Sequence, residues 1–249
     1  MLTKNLQQII DDCWNDFNAF NHPYKVTPSI PILWFGDLDA YRNSKKKIVS
    51  VALNPSAYEF GSASGFGIHV RFPHFSTPFT PAVYYKAMNE YFVNNPYWGK
   101  WFQFPEGILN CMNASYKKGK ENTAVHLDIY APVATSPHWN GLSQAQRDEL
   151  RTAFERYFDR MMEELDPDII IASLKREELA SHFKKMNGSP CTPINADKEW
   201  YHPSKKGFFL RRYNLSDNRI LIAGRNMSGT AFGGLNTSEC QAGMSVIFP

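Results

Sequence analysis

An α/β fold is predicted for this chain: a three-layer α/β/α sandwich around a central four-stranded parallel sheet. Two observations predict it. Four short, β-branched and almost wholly apolar runs, at residues 48–53, 124–129, 168–172 and 219–223, read as strands buried on both faces. Amphipathic helical patterns lie between them, and strands alternating with helices imply a parallel sheet. With no internal repeat and no low-complexity linker, the 249 residues read as a single domain.

Taken in order, the first element is a helix over residues 3–20. Leu6, Ile9, Ile10, Cys13, Trp14 and Phe17 fall on one stripe, and His22-Pro23 ends it. A connector with Pro28 and Pro31 leads to Trp34-Phe35-Gly36, a lysine run and the first strand, Ile48-Val49-Ser50-Val51-Ala52-Leu53. A helix over 80–93 opens with Pro81 at its start. The strongest helical pattern covers 143–165, with Ser143 as N-cap and Pro167 as stop. A last helix over 176–186 carries Leu179, Phe183 and Met186 inward and closes at Asn187-Gly188.

Composition excludes several classes. With 43% hydrophobic and 20% charged residues the chain is neither disordered nor fibrous. No apolar run approaches the roughly 18 residues of a membrane span, so no membrane association is expected. The first residues, Met1-Leu2-Thr3-Lys4, lack the apolar stretch of a signal peptide, which predicts a cytoplasmic protein. The net charge is only +3, but cations cluster, as at Lys45-Lys46-Lys47, Lys175-Arg176 and Arg211-Arg212; gathered on one face they would attract a polyanion. Cys13, Cys111, Cys191 and Cys240 are too scattered for a metal or disulfide motif, and the histidines form no short ligand pair. Neither metal nor cofactor is expected.

In an open α/β sheet, ligands bind beyond the carboxyl ends of the strands. There this chain carries Asn54-Pro55-Ser56, Asp128, Ser173-Leu174-Lys175-Arg176 and Arg225-Asn226-Met227-Ser228-Gly229-Thr230. It has no nucleophile elbow and no phosphate loop. Amides, small hydroxyls and one carboxylate suit the orientation of a water against a substrate that breaks its own bond.

Asn54-Pro55-Ser56 after the first strand and Asn226-Met227-Ser228-Gly229 after the last resemble the two active-site motifs of the uracil-DNA glycosylase superfamily. The nearest pattern is that of the mismatch-specific uracil and thymine glycosylases, G-I-N-P-G and N-P-S-G. Val125-His126-Leu127-Asp128 is similar to the strand that ends in the base-reading residue. Met227 stands where the family has proline, Ala52-Leu53 where it has a small G-x pair, and Asp128 where the uracil-specific enzymes have asparagine.

The resemblance implies a monofunctional DNA glycosylase, with DNA as partner and the chain acting as a monomer. Asn54 and Asn226 are the implied catalytic residues: Asn54 orients the attacking water, and Asn226 holds the abasic side of the flipped nucleotide. Phe72, Phe66 and Tyr58 are candidates to stack on the base. Ser56, Arg225, Met227, Ser228, Gly229, Thr230, Lys175 and Arg176 are the candidate DNA contacts. Asp128 is expected to read the base. An ionised carboxylate only accepts hydrogen bonds, which points to an exocyclic amine and away from uracil. A modified cytosine, such as the hydroxymethylated or glucosylated cytosine of phage DNA, fits, with anti-phage defence as the implied role. The segment 61–79, with Gly61, Ser62, Ser64 and Gly65, is expected to make room for the substituent. A uracil/thymine mismatch glycosylase, a hydrolase of free nucleosides and a non-catalytic DNA-binding module remain as alternatives.

Overall fold

The computed structural model describes residues 1–60, 68–94, 100–227 and 230–248. In chain order the elements are α1 (Lys4–Ala19), α2 (Leu38–Arg42), β1 (Ile48–Ala52), α3 (Ile68–Arg71), α4 (Pro81–Asn89), α5 (Tyr91–Asn94), α6 (Lys100–Asn110), β2 (Ala114–Ser115) and β3 (Asn122–Asp128). They continue with α7 (Gln144–Phe154), α8 (Arg156–Leu165), β4 (Ile169–Ala172), α9 (Arg176–His182), β5 (Lys198–Tyr201), β6 (Phe209–Asn214), β7 (Ile220–Gly224) and α10 (Thr237–Ile247).

The fold is α/β, built on one mostly parallel sheet with the order β2-β3-β1-β4-β7-β6-β5. The four runs expected as strands are β1, β3, β4 and β7, and they stand side by side within it. Among the described residues the count of four is corrected to seven: a two-residue β2 adds one edge, and β6 and β5 pair antiparallel on the other. β1 pairs parallel with β4, and β4 with β7, through residues that are nearly all buried, as a strand covered on both faces requires. Chain order reverses between β1 and β4, with Val51 opposite Ala172. Such a reversal is where open sheets of this kind place their ligands.

The chain divides into two compact units, each assembled from three segments: Met1–Arg42, Ala52–Tyr97 and Val125–Asp166 in the first, Asn43–Val51, Trp98–Ala124 and Pro167–Pro249 in the second. In the first, α1 lays its predicted stripe on α8. Leu6, Ile9, Ile10 and Cys13 are buried, Thr3 caps the helix through Leu6 N–H, and Asp12 and Asp16 pair with Arg160 and Arg156. In the second, α10 packs on β5 and β6 so closely that a Cβ at Gly243 would lie 2.7 Å from Leu210 Cδ1. Only a glycine admits the strands at that distance.

Three helix expectations change. The 143–165 helix is two helices interrupted at Glu155, although Ser143 caps it as expected, in a reciprocal box with Gln146. The 80–93 helix is α4 and α5, separated at Glu90. The 176–186 helix stops at His182 because Phe183 leaves in an extended conformation; Lys185 bridges to Leu215, and Met186 is 65% exposed rather than inward. No described helix is long and apolar enough to cross a membrane.

Candidate functional site

In the first unit, backbone hydrogen bonds carry the pairing past the ends of β1 and β3: Ile129 N–H donates to Ala52 O at 2.9 Å and Tyr130 N–H to Leu53 O at 3.0 Å. Asn54 and Asp128 therefore sit at the same end of one pair of segments. Pro55 and Ser56 turn the chain, and Ser56 Oγ accepts from Tyr58 N–H at 3.2 Å to start a single 3₁₀ turn, Ala57–Glu59. Ser56 is thereby a cap, and its backbone bridges Thr135.

The amide of Asn54 is pinned. Its Nδ2 donates to Val133 O at 3.2 Å and to Thr135 Oγ1 at 3.1 Å. A backbone carbonyl only accepts, so this contact fixes which end of the amide is nitrogen. Both N–H groups are spent, and Oδ1 meets no donor among the described residues. What Asn54 has left to offer is an oriented acceptor.

Asp128 closes β3 and is 9% exposed, and neither of its carboxylate oxygens makes a hydrogen bond to a described residue. The His126 ring faces it, with Nε2 3.4 Å from Oδ1; the backbone of His126 is held in turn by Phe35. A buried carboxylate with both oxygens unmatched is costly by several kcal/mol in an apolar setting. It is the strongest sign in this unit of a group made to receive a ligand.

Around it lies a buried cluster that the sequence reading missed. Glu59, 4% exposed, accepts from Tyr91 O–H at 2.6 Å, with Arg71 Nε at 3.9 Å from the same oxygen. Burial first, then the charge of Asp128, pushes the Glu59 carboxyl up to about 7, against the opposing pull of Tyr91 and Arg71. Glu59 carried one signal in the sequence, an acidic residue five positions after Asn54 in a turn flanked by aromatics.

The aromatic expectations divide. Phe72 is fully buried, stacked on Phe60 at 5.8 Å and set against Tyr91 at 5.6 Å. Tyr58, 58% exposed, keeps its ring in solvent. Phe66, with Gly61, Ser62, Ser64 and Gly65, lies outside the described residues. In the rest of that segment Phe75 is buried and Phe79 stacks on Trp14 at 4.0 Å, while His69, Val70, Pro73, His74, Ser76, Thr77 and Pro78 are exposed. A surface depression lined by Phe20, His22, Asp148 and Glu149 includes none of these groups.

In the second unit, the segment after β7 is organised by a residue that was not assigned a role, Ser173 at the end of β4. Ser173 Oγ donates to Arg225 O at 3.0 Å and accepts from Phe232 N–H at 3.0 Å, while its carbonyl accepts from Asn226 Nδ2 at 2.6 Å. Asn226 is thus held by its nitrogen, as Asn54 is. Arg225 lies over the Phe208 ring at 4.6 Å and donates to Lys206 O. Met227 is 40% exposed, and its backbone bridges Thr230. Ser228 and Gly229 lie outside the described residues. Lys175 and Arg176 are exposed at the start of α9. The chain matches no known family model, and no curated protein matches its sequence.

Proposed function

We propose that this protein is a monofunctional DNA glycosylase on a three-layer α/β/α scaffold, acting on a cytosine-type base that carries a substituent. The single observation that carries the reading is the pinned amide of Asn54, beside the unmatched carboxylate of Asp128. In this reading Asn54 Oδ1 accepts a hydrogen bond from water and turns the water's lone pair toward the sugar C1′. As the C1′–N bond lengthens and the sugar becomes cation-like, a poorly basic group suffices, because orientation rather than deprotonation limits attack. Asp128, ionised, accepts from the exocyclic amine and has nothing to donate to the O4 of uracil or thymine. For a base to reach a carboxylate this buried, side chains over it must part, and Tyr58 stands ready to stack on the incoming ring. Arg225, Asn226, Met227, Lys175 and Arg176, all in the second unit, are the residues proposed to contact the DNA backbone.

Substituted cytosines occur in phage genomes, and their excision by a host enzyme is a defence. The test is abasic-site formation, read as strand cleavage after alkali, on matched duplexes containing uracil, cytosine, 5-hydroxymethylcytosine or its glucosylated form. Cleavage of a substituted cytosine by the wild type, lost by about 10²–10³-fold in Asn54→Ala, is expected. Cleavage of uracil alone would remove the argument from Asp128. Activity confined to free nucleosides, or DNA binding without cleavage, would overturn the glycosylase reading.

A further inference from the structure

Glu59 is a buried carboxyl group to which the reaction above gives no task. We propose that Glu59 is the general acid of the reaction, donating its proton to N3 of the extruded cytosine-type base so that the base departs neutral. The proposal rests on the glycosylase reading and on the chemistry that separates cytosine from uracil. Uracil carries a hydrogen on N3 and leaves as a stabilised anion; cytosine has a lone pair there and an amine beside it, and its anion is a poorer leaving group. A site for cytosine therefore needs an acceptor for the amine and, next to it, a donor for N3.

Asp128 and Glu59 form that pair. The Glu59 turn follows Asn54 directly, and packed rings link the two carboxyl groups: Tyr91, which holds Glu59 Oε2 at 2.6 Å, meets Phe35 at 4.8 Å between ring centres, Phe35 meets His126 at 5.3 Å, and His126 Nε2 lies 3.4 Å from Asp128 Oδ1. Tyr91 O–H occupies Oε2, and Arg71 Nε approaches the same oxygen. Oε1 makes no hydrogen bond to any described residue, so a proton carried there has no acceptor among them. The groups that act on Glu59 are Asp128, Arg71 and Tyr91, with His126 against Asp128. Burial keeps the carboxyl protonated up to about pH 7.

The step balances. The proton on Oε1 passes to N3, and the C1′–N1 bonding pair stays on the base, cancelling the positive charge that protonation gave it. The water held by Asn54 bonds through oxygen to C1′, and the proton it sheds restores Glu59.

The test is single-turnover excision by wild type and Glu59→Gln, from about pH 5 to about pH 9, on duplexes with 5-hydroxymethylcytosine or 5-formylcytosine. The formyl group withdraws electrons and lets the base leave without a proton. Glu59→Gln is expected to slow hydroxymethylcytosine by about 10²–10⁴-fold and formylcytosine by less than about tenfold. The wild-type rate on hydroxymethylcytosine should fall about tenfold per pH unit above neutrality, a limb absent from the variant. Tyr91→Phe keeps the acid but removes a hydrogen bond that favours its ionised form, and should move that limb to higher pH. Equal losses on both bases would make Glu59 structural and overturn the proposal, as would no loss on either or an unmoved limb in Tyr91→Phe. In each of those outcomes the glycosylase reading stands. A wild type that cleaves no duplex overturns both.

Discussion

Replacing Glu59 by Gln should change the pH dependence of folding whether or not the protein cuts DNA. The carboxyl is 4% exposed and its folded-state pKa lies at about 7 against an ordinary 4.5. Between those values the unfolded chain has released the proton and the folded chain still holds it. The folded state binds more protons, so stability is full below about pH 4.5 and declines as pH rises through about 7. The gap of 7 minus 4.5, at about 1.36 kcal/mol per unit, makes the loss about 3 kcal/mol. That is a large share of the roughly 5–15 kcal/mol that holds a domain folded. Glutamine keeps an acceptor for Tyr91 and carries no titratable proton, so the variant escapes the decline. Urea unfolding followed by tryptophan fluorescence at about pH 5 and about pH 8, at equal salt, should find the variant gaining about 2.5 kcal/mol on the wild type between the two. A difference that stays constant with pH, or that moves against the variant, would refute the claim that Glu59 is buried and protonated in the folded state.

Gly224→Ala should destabilise by about 1–3 kcal/mol in thermal unfolding. A Cβ there would lie 2.2 Å from Cδ1 of Phe232, whose backbone is held at φ 54° and tied to Ser173, and an unchanged melting temperature would refute that packing. Ser173→Ala strips the partner from the buried Phe232 N–H and from Arg225 O; a loss of about 1–3 kcal/mol is expected, with weaker DNA binding, measured by fluorescence anisotropy. Asp128→Asn supplies a donor where the wild type has acceptors only, so abasic-site assays should show uracil cleavage gained and the preference for amine-bearing bases reduced.

How far the sequence disclosed this molecule follows from which interactions are local. The strand at Ile169–Ala172 is apolar at every position because it is covered on both faces, so its own residues announced it. Asn54 and Asp128 were recognisable because each ends such a run. β5 and β6 were not: Glu199 and Arg211 look like surface charges, yet they stand directly opposite across the antiparallel pair, joined at 2.7 Å, and the pairing makes burial of the arginine tolerable. α10 stayed hidden because Gly243, unfavourable in an isolated helix, is what lets the helix sit on Leu210 and Trp200. Glu59 is the sharpest case. Its partner Tyr91 lies 32 positions away, and nothing in the turn 57–59 says that a tyrosine, an arginine and a second carboxylate will close over it. A carboxyl's proton affinity is a property of what surrounds it. Sequence order could therefore nominate Asn54 and Asp128 from their places at strand ends, but the buried surroundings of Glu59 appear only once the chain is folded around it.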